Sequence, residues 1–234
     1  MSLKKFELKK YSQNGEDGII EYLINLIYDD PKNKIYLEIG VEDGTECNTR
    51  NLREHFGWSG ILIDGKNENK SIKLYNHFVT KDNVIDLLKS YYIPSKLNLI
   101  SIDIDYNDFY VLNEILKQYN SDLIIVEYNA THSYDEDKVI IYDENGGWDG
   151  TNYFGASLLS YTKLLNKFGY SLVSTETQGV NAFFVSNDLI TDNLKNINDI
   201  KELYTLPKYG NGPNGGHLSD YKNREYVSFN NLIL

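Results

Sequence analysis

The chain is short of several things, and each shortage excludes something. One cysteine, Cys47, stands among 234 residues. It leaves no internal disulfide, and the expected setting is the cytoplasm. Basic residues are few: 23 Lys and Arg face 34 Asp and Glu, a formal net charge of −11. That balance argues against a general nucleic-acid partner and against an anionic membrane surface. No run approaches the roughly 18 apolar residues that span a bilayer, so no membrane insertion is expected. Residues 1–10 carry charge with no apolar run behind them, so no signal peptide is expected. No internal repeat and no interdomain linker is visible. One domain over 1–234 is the expected organisation, as is ordinary for an α/β chain of this length.

What is present is organised around residues 35–46. Ile35 to Ile39 is mostly apolar, as a strand covered on both faces would be. Gly40 and Gly44 follow, with Glu38, Glu42, Asp43 and Glu46 around them. A strand, a glycine turn and a helix make a place where backbone approaches a ligand closely. The spacing is G-x-x-x-G and not the G-x-G-x-x-G of dinucleotide sites. Carboxylates in the turn repel a pyrophosphate. A nucleoside that carries positive charge and no phosphate fits better, and S-adenosylmethionine (SAM) is the common one.

The rest of the chain alternates. A basic lead precedes a helix that starts at 12–17, with Ser12 or Asn14 as its cap, and carries the stripe Ile19, Ile20, Leu23, Ile24 and Ile27. This cap helix occupies 1–30. Strands are expected at 35–39, 60–64, 77–80, 97–105 and 123–128. Helices are expected at 48–56, from Asp82 to near Pro94, and at 108–119, with a short one within 66–76. Such alternation implies parallel crossovers and a doubly wound α/β sheet. After the helix at 157–168, strands at 170–174 and 181–186 lie too close in sequence to be anything but antiparallel. Between them and the parallel part, 131–154 is too long for an idle connection. The tail from 188 to 234 reads as irregular, with a glycine-rich loop at 209–216.

Ligands of open α/β sheets bind beyond the carboxyl ends of the strands. Asp64 ends the second strand, where it suits a ribose diol or caps the next segment. Asp82 and Asn83 suit the adenine edge or an N-cap. Asp103 and Asp105 would share one face of a strand. Asp103, Glu127 and Asn129 suit a hard divalent ion such as Mg²⁺, or an amine or hydroxyl. His132, at the mouth of 131–154, is placed to take a proton from an acceptor hydroxyl, with Asp103 among the carboxylates that share the catalytic role. His217 is a weaker candidate, and His55 and His77 read as structural. In the loop, Tyr134, Tyr142, Trp148 and Tyr153 offer faces for a sugar. Lys208, Lys222 and Arg224 offer charge for a diphosphate.

The set Ser-Gln-Asn-Gly-Glu-Asp-Gly (12–18), Leu-Glu-Ile-Gly-Val-Glu-Asp-Gly (37–44), Leu-Ile-Asp-Gly (62–65), Ser-Ile-Asp-Ile-Asp (101–105), Glu-Tyr-Asn-Ala (127–130) and Gly-Val-Asn-Ala-Phe-Phe-Val (179–185) resembles the class I SAM-dependent methyltransferases. Within them it resembles the FkbM-like enzymes of bacterial polysaccharide and natural-product clusters. The resemblance implies a Rossmann-like seven-stranded sheet of order 3-2-1-4-5-7-6, strand 7 antiparallel, with helices on both faces. It implies SAM as cofactor, with Glu38, Gly40 and Glu42 at its methionine part, Asp64 on the ribose, Asp103 at the amino group or a metal, and Gln13 closing over it. It further implies O-methylation of a sugar or nucleotide-linked sugar in capsule or lipopolysaccharide assembly. A homodimer is left open. The sequence departs from the family at Asp103-Ile-Asp105-Tyr106, where the family reads Asp-x-Glu-Gly. Two rival readings stand beside it: an NAD-dependent sugar oxidoreductase, and a methyltransferase-like scaffold without turnover.

Overall fold

The computed structural model describes residues 2–191, 193–194 and 199–232. Of the expected tail, residues 192, 195–198, 233 and 234 lie outside the described residues. Five apolar runs form parallel strands: β1 (Ile35–Ile39), β2 (Ser59–Asp64), β3 (Leu74–Asn76), β4 (Leu99–Ile102) and β5 (Leu123–Glu127). The four residues of β4 are all buried, as a strand covered on both faces requires. A two-residue strand, β6 (Val139–Ile140), precedes the hairpin of β7 (Tyr170–Thr175) and β8 (Asn181–Ser186). The sheet order is β3-β2-β1-β4-β5-β8-β7, and β8 runs against both of its neighbours. With the short β6 set aside, this is the expected Rossmann-like order with its one reversed strand. The order turns around between β1 and β4. Right-handed crossovers on either side of that point put helices on opposite faces and open a crevice at the carboxyl ends.

The helices are α1 (Glu16–Ile27), α2 (Arg50–His55), α3 (Val84–Ser90), α4 (Asp108–Leu116), α5 (Leu158–Lys167) and α6 (Ile200–Leu203). The expected stripe of α1 is real: Ile19, Ile20, Leu23 and Ile24 are buried. Its cap is not as expected. Gly15 occupies the N-cap position without a side-chain bond. Ser12 Oγ accepts from the Asp17 N–H at 3.1 Å, while the Asp17 carboxylate gathers the N–H groups of Lys10, Tyr11 and Ser12. The lead is therefore tied down. At Gly18, a Cβ would meet the Phe6 carbonyl oxygen at 2.0 Å, so glycine is what lets the lead cross α1.

Two boundaries differ from expectation for local reasons. A left-handed Lys73 (φ +57°) ends a single 3-10 turn, Lys70–Ile72, and brings the buried Leu74 into the sheet, so the third strand is 74–76 and not 77–80. The fourth strand stops at Ile102, and Asp105 sits in a left-handed turn (φ +64°) beyond it.

The segment 131–154 is no loose loop. β6 pairs with β9 (Tyr226–Val227), Val139 opposite Val227 and Ile140 opposite Tyr226, and both β6 residues are fully buried. Asp137 accepts from Ser160 Oγ, Lys163 Nζ and the Phe229 N–H. The tail thus folds back as a second layer over the loop. No helix among the described residues is long and apolar enough to cross a membrane.

Candidate active site

The carboxyl end of β1 is built around Gly40. Its φ is +82°, its N–H donates to Ile63 O at 2.8 Å, and a Cβ there would fall 1.5 Å from the Asp103 carbonyl oxygen. The turn after β1 and the end of β4 are therefore in backbone contact. Asp64, at the end of β2, accepts at Oδ1 from the Lys66 and Asn67 N–H groups and from Asn67 Nδ2. Its Oδ2 accepts from the Glu42 N–H at 3.0 Å. The cap on the next segment is thus formed, and Oδ2 holds the remaining free acceptor capacity.

Glu38 does not reach the crevice. It is 3% exposed, and its carboxylate accepts from the Asn48 and Thr49 N–H groups and from Thr49 Oγ1. It braces the turn into α2. Asn83 stands at the N-cap of α3 without a side-chain cap bond, and its amide braces the preceding turn. Its Oδ1 accepts from the Thr80 N–H, its Nδ2 donates to Phe78 O, and its own N–H donates to Thr80 Oγ1. Asp82 accepts from the Tyr142 hydroxyl and so ties α3 to the long loop.

A cleft of about 380 Å³ opens beyond β4 and β5. Asp103, Asp105 and Glu127 supply its acids, and one carboxylate oxygen from each lies within 4.8 Å of the others. Gln13, Asn14 and Gln178 bring amides from the start of α1 and the β7–β8 turn. Trp148, Tyr209 and His217 bring aromatic rings from the loop and the tail. Among the described residues, no Lys or Arg lines it.

Electrostatics set these acids apart. Burial raises the pKa of Asp103 well above the usual carboxylate range, and repulsion from Asp108, Asp105 and Glu38 adds to it. Glu127 is raised in the same direction by burial and then by Asp103. Asp108, which receives the Ile104 and Tyr106 N–H groups, is pushed up by burial to about 7. Asp105, the most exposed of the three cleft acids, is raised by desolvation and by Glu42, while Lys66 opposes the shift. One oxygen of Glu127 and the hydroxyl of Tyr209 are buried without a hydrogen-bond partner. Such orphaned groups suit a bound donor.

The linkage has a definite sign. Native Asp103 and Glu127 hold their protons to higher pH than the same groups in the unfolded chain. Below the unfolded values, near pH 4, both states are protonated and nothing is lost. As pH climbs through the native values, stability falls. Glu127→Gln should flatten the decline of Tm between pH 5 and 8. At pH 8 it should raise Tm by about 2–4 °C, the shift of one kcal/mol in a chain of this size. Parallel Tm–pH curves for the two proteins would refute the assignment.

The remaining expected site residues divide. Gln13, Asp103, Glu127 and Trp148 come together in the cleft. Asn129 does not join them: its amide donates to Asn152 O and Phe154 O, and its Oδ1 accepts from Thr131. Asp105 stands in its place. His132 is also elsewhere. It is 5% exposed, it packs edge-on to Tyr226 at 4.7 Å, and burial lowers its pKa to about 4. Tyr153 is core, and Tyr134 turns its edge to Tyr204. Arg224 is gripped by Asp220 and Asp149 and lies over the Tyr153 ring, and Lys222 pairs with Asp149. Lys208 is exposed and outside the cleft, its backbone N–H on Gln178 O.

His217 is in the cleft, packed at 4.4 Å from Trp148, 5.2 Å from Tyr209 and 5.6 Å from Phe154. Burial alone lowers its pKa. The glycine-rich stretch before it was the only sequence signal for its position. Gln178 and Tyr209 carried none.

No family model and no curated protein sequence matches the chain. Among solved structures it is similar to the N-terminal domain of EvdMO1 with SAH and D-fucose. That pair shares 12% identity over 71% of this chain and 81% of that one, with a TM-score of 0.43. It is similar to the CurJ carbon methyltransferase at 11% identity, 75% and 55% coverage and a TM-score of 0.44. It is also similar to the MycE methyltransferase of the mycinamycin pathway, in complex with Mg and SAH, at 10% identity, 71% and 45% coverage and a TM-score of 0.38. With identities and TM-scores this low, the functional assignment turns on the cleft itself.

Proposed function

We propose that the chain is a SAM-dependent O-methyltransferase acting on a hydroxyl of a small molecule. One observation carries the reading. Three carboxylates gather at the carboxyl ends of β4 and β5 of a Rossmann-like sheet, in a cleft that no Lys or Arg lines among the described residues. Such a site calls for a cationic ligand and repels a pyrophosphate, which counts against the NAD-dependent oxidoreductase.

SAM fits the donor set. Asp103 and Asp105 would hold its amino group, and Asp64 Oδ2 would take a ribose hydroxyl. Gln13 would cover it from the start of α1, and Glu42 and Asp82 stay at the rim. Bound there, SAM supplies a methyl group on a sulfonium, whose departure as a thioether needs no acid. The chain's own part is to align an acceptor hydroxyl and receive its proton. His217 is the residue placed for that step, its ring held by three aromatic neighbours and its neutral form favoured by burial. Glu127, with its orphaned oxygen, would orient the hydroxyl. A sugar acceptor and a place in capsule or lipopolysaccharide assembly rest on the sequence resemblance, and the cytoplasm rests on the lone cysteine.

Titration calorimetry with S-adenosylhomocysteine (SAH) tests the proposal. Binding is expected, and Asp64→Asn should weaken it by about 1.5–3 kcal/mol, the range for hydrogen bonds to a charged group. No binding by the wild-type chain would overturn the reading. The same titration in EDTA decides what cation the acids serve. Unchanged affinity gives them to the ligand's amine. A loss that Mg²⁺ restores gives them to a metal held by Asp103, Asp105 and Glu127.

A further inference from the structure

We propose that the acceptor is an unphosphorylated amino sugar, and that the cleft excludes the nucleotide-linked sugars that a polysaccharide pathway would otherwise offer. The reaction assigned to that acceptor rests on the methyl-transfer reading; the selectivity of binding does not. The two sides of the cleft differ. Asp105, exposed beyond the end of β4, has Glu42, Asp64 and Lys66 as further charged neighbours, while one of its oxygens stays within 4.8 Å of Asp103 and Glu127. Glu127 faces the tail, where Tyr209 is close enough for its charge to raise the phenol's pKa. On this tail side stand the two orphaned groups, the Glu127 oxygen and the Tyr209 hydroxyl.

Three kinds of side chain meet there, and each selects for a part of the ligand. The Trp148 and His217 rings offer apolar faces, which pack on the C–H face of a pyranose. The amide of Gln178 offers both donors and an acceptor, which match ring hydroxyls. Half-buried Glu127 offers an acceptor oxygen with no partner of its own, and an ammonium group beside it would favour its ionised form. Aromatic faces add to the attraction for that cation.

A diphosphate finds the opposite. Of the tail cations expected at a diphosphate, Arg224 is held by Asp220 and Asp149 and Lys222 by Asp149, while Lys208, beside Tyr209, is exposed and does not line the cleft. Freeing Arg224 would leave Asp220 without its cation. A phosphate brought among Asp103, Asp105 and Glu127 would meet three carboxyl groups and no cation from the cleft lining among the described residues.

The test is a binding comparison on the full chain saturated with SAH, using D-glucosamine, D-glucose and UDP-glucose as probes. Glucosamine should bind at least about tenfold tighter than glucose, the factor of a single charge-assisted hydrogen bond, and UDP-glucose weakest of all. Glu127→Gln should erase most of the advantage of glucosamine over glucose. Gln178→Lys should raise the affinity for UDP-glucose. Equal or tighter binding of UDP-glucose by the wild type overturns the proposal, and so does binding of none of the three at millimolar concentration. If SAH itself fails to bind, the methyl-transfer reading falls, and the same three probes on the ligand-free chain still judge the charge selectivity.

Discussion

Replacing His217 with alanine should lower methyl-transfer turnover by about 10²–10⁴-fold, the usual contribution of a positioned general base, with SAH affinity unchanged. The expectation rests on three features. His217 lines the cleft that holds the acids. Its ring is fixed by Trp148, Tyr209 and Phe154, so little orientation remains to be lost when a hydroxyl arrives. Burial lowers its pKa, so the basic form persists to lower pH than in an ordinary histidine. The acid limb of the wild-type rate profile should therefore fall below the usual value of about 6.5, and it should vanish in the variant. Added imidazole should restore part of the rate, an effect no packing role predicts. Normal turnover in His217→Ala would move the proton to Glu127 or Asp103. His132 serves as the internal contrast, because its ring is enclosed against Tyr226 and outside the cleft.

Gly40→Ala should destabilise the chain by about 2–5 kcal/mol. Two costs combine: a left-handed residue with a Cβ, about 1–2 kcal/mol, and overpacking, about 1–3 kcal/mol. The overpacking is severe in kind, since the obstacle 1.5 Å away is the Asp103 backbone carbonyl and not a side chain that can turn aside. For a chain of this size the loss amounts to roughly 4–20 °C in Tm, at about 2–4 °C per kcal/mol. SAH affinity should fall as well, because the shift is passed directly to Asp103. An unchanged melting temperature would show that the β1 turn is free to move away from β4. Gly44→Ala is the milder comparison: its Cβ would meet the tip of Ile72, a flexible side chain, at 2.6 Å.

The sheet was legible because its signals are local. Apolar runs mark β1, β2, β4 and β5, and the short gap between β7 and β8 forces a hairpin. The third strand was misplaced because the left-handed Lys73 that redirects the chain has no composition signature. The site was half legible. Strand-end acids are visible wherever an apolar run stops, so Asp103 and Glu127 could be found. What a polar side chain already holds is not visible. Asn129 looks like a ligand until Asn152 and Phe154 claim its amide, and Arg224 looks like a phosphate clamp until Asp220 and Asp149 close on it. Glu38 lies in a strand and yet serves the start of α2, a pairing ten residues away that no periodicity announces. Asp105 arrives beside Asp103 through a turn and not through the strand alternation that suggested it.

The fold-back of the tail over the long loop bears on when the cleft can come into being. Its floor belongs to β4 and β5, but Gln13 comes from the start of α1 and His217 from far beyond the last sheet strand. The link from Lys4 to Thr205 spans 201 positions, and that from Glu16 to Asn181 spans 165. Contacts so remote in sequence must close large loops before they contribute anything, so they tend to form late. During synthesis the parallel sheet can assemble while one side of the cleft still has no wall. The buried acids then stand in water and ionise freely, and their mutual repulsion is felt in full only as the tail closes over them. A ligand that neutralises them at that moment would act as a chaperone of the final step, favouring closure over reopening.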